Sequence, residues 1–134
     1  MPDRAETILL ADDEVTVRAY VSNILRRAGF QLIEASDGAD ALDQVQQKAQ
    51  PIDLLLTDIR MPRMDGIALA RSIIEMYPKV PIIYISGYAF DFEEERSRSP
   101  KRACAFLSKP FSRKDLLDAV EKCLAVPGDA AGTQ

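Results

Sequence analysis

The sequence predicts an α/β fold, a doubly wound five-stranded parallel sheet with helices on both faces. Two observations carry that expectation: short apolar runs alternate with amphipathic helical patterns, and the alternation repeats five times within about 118 residues. A third says where to look for function. Acids, a hydroxyl and a lysine stand just after the apolar runs, and doubly wound sheets place their sites at strand C-terminal ends.

The first run, residues 8–11, reads Ile-Leu-Leu-Ala and is apolar enough for a strand buried on both faces. Val17, Val21, Ile24, Leu25 and Ala28 then fall on one helical face, and Gly29 stands where a helix ends. Residues 31–35 alternate polar and apolar more than the other runs do, as a wetter or edge strand does. Asp37-Gly38 opens an alanine-rich helix to about Lys48. Residues 54–56 form the third strand. Asp65 before Gly66 opens a helix over 67–76 that buries Leu69, Ala70, Ile73 and Ile74. Residues 80–85 and 103–107 supply the last two strands, and a final helix carries Leu116, Leu117, Val120, Cys123 and Leu124 inward. Ser112 and Asp115 are spaced as a capping box before it. The folded domain is expected over 1–124, with 125–134, rich in Ala and Gly, as a disordered tail or linker stub.

Composition narrows the chemistry. The chain has 134 residues, 47% hydrophobic and 28% charged, which suits one globular domain and leaves no room for a second. Its net charge of −4 disfavours nucleic acid or anionic lipid as a partner. Histidine is absent, so no imidazole serves as base, metal ligand or phosphoryl carrier. Two cysteines, Cys104 and Cys123, without C-x-x-C spacing predict reduced structural thiols. The polar N-terminus lacks a signal-peptide core, which predicts a cytoplasmic protein with no membrane contact.

The strand ends carry Asp12, Asp13 and Glu14, then Asp58, then Ser86-Gly87, then Lys109-Pro110. Singly, each has a plainer reading: acids at a helix start, turn residues, a solvated lysine. Jointly they would gather on one rim. Crowded carboxylates repel unless a cation intervenes, and Mg²⁺ suits them because one or two carboxylates plus a carbonyl complete its shell with water. Asp58 is the expected nucleophile toward phosphorus, with Lys109 and the Ser86 hydroxyl taking up charge on the phosphoryl oxygens.

The motifs Leu-Leu-Ala-Asp12-Asp13-Glu, Leu-Leu-Thr-Asp58-Ile-Arg-Met-Pro-Arg-Met-Asp-Gly66, Ile-Ser86-Gly-Tyr and Phe-Leu-Ser-Lys109-Pro-Phe resemble those of two-component response regulator receiver domains, over about residues 7–124. The resemblance implies strand order 2-1-3-4-5. It also implies that Asp58 accepts a phosphoryl group from a histidine kinase or phosphotransfer protein. Asp13, Asp58 and the Arg60 backbone carbonyl would bind Mg²⁺, with Asp12 acting through water and Lys109 pairing with the phosphoryl group. Ser86 and the aromatic Phe106 would form the conformational switch, here without the hydroxyl of the commoner tyrosine. Such a chain catalyses only its own phosphorylation and dephosphorylation, and it acts on an output protein.

The crossover 87–102 departs from the pattern. Pro100 forbids a regular helix through its end, so a short or irregular fourth helix is expected there. Arg60 and Tyr88, each two residues beyond a site residue, are expected to flank the phosphoryl pocket and slow hydrolysis, so small polar replacements should speed dephosphorylation. The alternatives are a phosphorelay intermediate, a receiver fragment of a larger regulator or hybrid kinase, and, more distantly, a haloacid-dehalogenase-like phosphatase. The last wants Asp-x-Asp after the first strand, whereas Asp12 and Asp13 are adjacent.

Overall fold

A computed structural model describes residues 6–48, 51–87 and 103–125. The elements in order are β1 (Thr7–Ala11), α1 (Val15–Arg27), β2 (Gln31–Ala35), α2 (Gly38–Lys48), β3 (Leu54–Asp58), α3 (Gly66–Met76), β4 (Ile82–Ser86), β5 (Ala103–Ser108) and α4 (Arg113–Ala125). All strand pairs are parallel and the order is β2-β1-β3-β4-β5. β1, β3 and β4 are buried along their whole length, which is why their sequences run apolar without alternation.

Successive side chains of the regular strands feed opposite layers. Leu9, Leu55, Ile82 and Tyr84 pack with Ala41 and Val45 of α2 and with Ile67, Leu69 and Ile73 of α3. Ile8, Leu10, Leu54, Leu56, Ile83 and Ile85 pack with Val21, Ile24 and Leu25 of α1 and with Leu116 and Val120 of α4. Each fully buried Leu or Ile contributes about 1.5–3 kcal/mol, so two dry layers hold the sheet from both sides.

The helix signals act as the sequence predicts. Gly29 takes the left-handed conformation, with φ 99°, just past α1. The Asp65 carboxylate accepts the Ala68 amide at 2.9 Å. Ser112 and Asp115 form a reciprocal capping box at 3.0 and 3.3 Å. The fourth strand starts later than expected, at Ile82, because Pro81 has no amide to donate and the Val80 amide closes a turn onto the Tyr77 carbonyl.

β5 is irregular where it meets β4. Ile82 pairs with Ala103 and Ile83 with Ala105, which leaves Cys104 as the extra residue of a bulge. Cys104 and Cys123 are joined by a disulfide with a Cα–Cα distance of 6.0 Å, which corrects the expectation of free thiols. Sequence spacing could not show it, because the bulge and the packing of α4 on β5 bring together residues 19 apart. A cross-link over such a span stabilises by about 3 kcal/mol through chain entropy. The expected short fourth helix and Tyr88 lie outside the described residues, as does the tail beyond Ala125, which itself ends α4.

Candidate functional site: an acidic pocket at the strand ends

The parallel register aligns the C-terminal ends of the three inner strands. Asp58 pairs with Ile85 and Ser86 with Ser108, so Asp58, Ser86 and Lys109 emerge on the rim that also carries Asp12. The loop after β3 is pinned to that rim. The Ile59 amide donates to the Ile85 carbonyl at 3.0 Å and the Gly66 amide to the Ile59 carbonyl at 2.8 Å. Farther along, Arg63, at φ 67°, donates to the Asp37 carboxylate at 2.8 Å, and the Gly38 amide donates to the Met64 carbonyl at 3.2 Å.

Lys109 is the hub of the site. Its Nζ lies 2.6 Å from Glu14 Oε1, 3.2 Å from Asp58 Oδ2 and 3.6 Å from Asp12 Oδ2. Burial alone would lower the lysine pKa, but the Glu14 hydrogen bond and the charges of Asp58 and Asp12 outweigh it and hold the ammonium firmly protonated. Asp12 is wholly buried, and burial pushes its pKa up to about 6 against the hydrogen bond its Oδ1 accepts from the Glu14 amide at 2.9 Å. Burial also raises Asp58, although Lys109 pulls the other way. The Arg18 guanidinium donates to the Asp12 carbonyl at 2.6 Å and steadies the turn from below.

The cavity above these groups is about 430 Å³. Asp13, Glu14, Asp58, Arg60, Ser86 and Lys109 line it. One carboxylate oxygen each from Asp12, Glu14 and Asp58 can be chosen so that all lie within 4.8 Å of one another. Asp12 Oδ2 is buried and finds no hydrogen-bond partner among the described residues. A buried carboxylate oxygen left in this way beside two further carboxylates fits a hard cation such as Mg²⁺.

Of the expected site residues, Asp12, Asp13, Asp58, Arg60, Ser86 and Lys109 converge here. Phe106 stands one strand over, stacked on Tyr84 with ring centroids 5.5 Å apart. Glu14 had no assigned role in the sequence reading, yet it makes the shortest contact with Lys109. Its only signal was its place third in the Asp-Asp-Glu run. Beside the acidic cavity lies an apolar one of about 360 Å³, between Val17 and Tyr20 of α1 and Phe111, with Lys109 shared by both.

Fold and rim together define a doubly wound α/β protein with a carboxylate pocket at its topological switch point. The chain belongs to the response regulator receiver domain family, whose match spans residues 8–121. It is 41% identical to the response regulator receiver protein CpdR of Brucella abortus (strain 2308), over 87% of this chain and 95% of that one. It is 35% identical to the sensor kinase CckA of the same organism, over 88% of this chain but 12% of the kinase. Among solved structures, a response regulator receiver protein from Sinorhizobium medicae WSM419 superposes with a TM-score of 0.80 at 36% identity, covering 90% of this chain and 95% of that chain. The protein is therefore a receiver domain of two-component signalling, and the phosphatase alternative falls away. No helix among the described residues is long and apolar enough to cross a membrane.

Proposed function

We propose that Asp58 is the phosphoacceptor of a cytoplasmic two-component switch. The observation that carries this is the placement of Asp58 in the lining of the acidic cavity, its carboxylate 3.2 Å from the Lys109 ammonium. An Asp58 carboxylate oxygen attacks the phosphorus of a phosphohistidine on another protein. The new P–O bond forms as the P–N bond breaks, and the electron pair returns to the donor imidazole. Lys109 then exchanges its carboxylate contacts for a phosphoryl oxygen, and the Ser86 hydroxyl turns to donate to another. Asp12, Asp58 and Glu14 or Asp13, with the Arg60 carbonyl, would hold Mg²⁺, which supplies positive charge against the phosphoryl oxygens.

Ser86 vacating its place gives the Phe106 ring a reason to leave Tyr84, a burial change that an output protein reads. The phosphoryl donor docks on the apolar cavity between α1 and Phe111, since Lys109 makes that surface continuous with the acceptor site. The donor is a histidine kinase or a histidine phosphotransfer protein. Near-complete coverage of CpdR supports a regulator built on the receiver domain alone, which would turn over only its own phosphoryl group. The match to one segment of CckA supports the second reading, a relay intermediate or the receiver part of a hybrid kinase.

Intact mass after incubation with acetyl phosphate tests the proposal. One phosphoryl adduct is expected in the presence of Mg²⁺, none without it and none in Asp58→Asn. An adduct that survives in Asp58→Asn overturns the assignment.

A further inference from the structure

The bulge in β5 does more than interrupt a ladder. Strict alternation would put Cys104 on the same side of the sheet as Phe106. Instead Ala103 and Phe106 pack in the layer of α2 and α3, while Cys104, Ala105 and Leu107 pack in the layer of α1 and α4. The extra residue thus turns Cys104 toward the last turns of α4, where Cys123 is buried. Bulge and disulfide go together: one aims the sulfur that the other captures.

The bond closes a covalent ring from residue 104 to residue 123. Inside that ring are Phe106 and Lys109, the aromatic that rests on Tyr84 and the ammonium that pairs with Asp58. Phe106 stands two residues from the cross-link, so the base of β5 cannot shift against α4 while the bond is intact. Cys123 is buried and Cys104 only partly so, which makes Cys104 the side from which a thiolate would approach. In a reducing compartment such a bond exchanges with thiols and is not permanent.

We propose that Cys104 and Cys123 form a reversible dithiol–disulfide modification site that sets how readily Asp58 takes a phosphoryl group, by clamping or freeing β5. The inference rests on the reading of Asp58 as acceptor. A reductant thiolate attacks Cys104 Sγ, the S–S bond breaks, and its electron pair goes to Cys123 Sγ, which takes a proton. A second reductant thiol then attacks the mixed disulfide and releases Cys104 as a thiol. Two donor thiols become one disulfide as the protein's disulfide becomes two thiols, and a small disulfide oxidant reverses the exchange.

The test uses the full chain in two forms, oxidised with oxidised glutathione or reduced with dithiothreitol, so it does not depend on a variant that folds. Thiol alkylation followed by intact mass should count no free thiol in the first form and two in the second. With Mg²⁺ and acetyl phosphate, the reduced form should be phosphorylated at least about fivefold faster, a barrier change of about 1 kcal/mol. Cys104→Ser and Cys123→Ser should behave as the reduced form under both treatments. Equal rates in the two forms, or two free thiols after the oxidant, overturn the redox coupling and leave the acceptor assignment standing. Failure of both forms to gain a phosphoryl group overturns the acceptor assignment itself.

Discussion

Asp12 is held at a cost that the rest of the site makes useful. Its carboxylate is fully buried, one oxygen finds no hydrogen-bond partner among the described residues, and its pKa rises from 3.8 to about 6. A carboxyl whose pKa is higher folded than unfolded binds more protons in the native state, so its contribution to stability is complete below about pH 4 and is lost as pH rises through 6. Asp58 shifts in the same direction and adds to the effect. Without divalent ions, the protein should therefore lose stability between about pH 4 and pH 6, by up to about 3 kcal/mol from Asp12. Asp12→Asn should remove most of that slope and stabilise the metal-free protein at pH 7 by about 1–3 kcal/mol. Urea unfolding across the pH range measures both, and an unchanged slope in Asp12→Asn would contradict the account. The side-chain types at this site were legible in the sequence because strand ends select them; the Glu14 contact was not, because the aim of a half-exposed side chain depends on where Lys109 lies in space.

The loop between β3 and α3 shows how an element places a functional atom. A Cβ on Gly66 would collide with the Asp58 carbonyl, and one on Gly38 with the Met64 carbonyl, whereas one on Gly87 would meet nothing within 4 Å. Gly66→Ala should therefore destabilise by about 1–3 kcal/mol and displace the acceptor, visible as a lower Tm and slower phosphorylation by acetyl phosphate. Gly87→Ala should leave Tm unchanged. Equal Tm values for the two variants would mean that the close approach at Gly66 is relieved elsewhere. Pro62 and Gly66 mark a tight loop in the sequence, and Asp65, Ser112 and Gly29 announce their helix ends, because each acts through its own few neighbours. The bulge at Cys104 left no such mark. It depends on how β5 registers with β4 and on which layer has room for the sulfur, and both are properties of packing that a run of five apolar or small residues does not encode.

Across the whole molecule, apolar layers pack on both faces of the sheet and excess negative charge collects at one rim. Counting Asp12, Glu14 and Asp58 against Lys109, the pocket holds −2 at neutral pH, and no histidine is available to relieve it. A cation that binds only the folded chain stabilises it by mass action, about 2.7 kcal/mol at a hundred times its Kd. For a domain of this size that is roughly 10 °C in Tm. Mg²⁺ at pH 7.5 should produce a rise of that order, and Na⁺ at matched ionic strength should not, since screening weakens repulsion between exposed charges more than between buried ones. The rise should shrink below about pH 6, where Asp12 takes a proton in place of the ion. Asp58→Asn should reduce it by removing one of the three carboxylates. Thermal unfolding with the two salts at pH 5 and 7.5 checks every part: an equal rise with Na⁺ would reduce the pocket to a screened acidic patch, whereas a rise confined to Mg²⁺ and to the higher pH would tie the stability of the fold to the ion its site is built to hold.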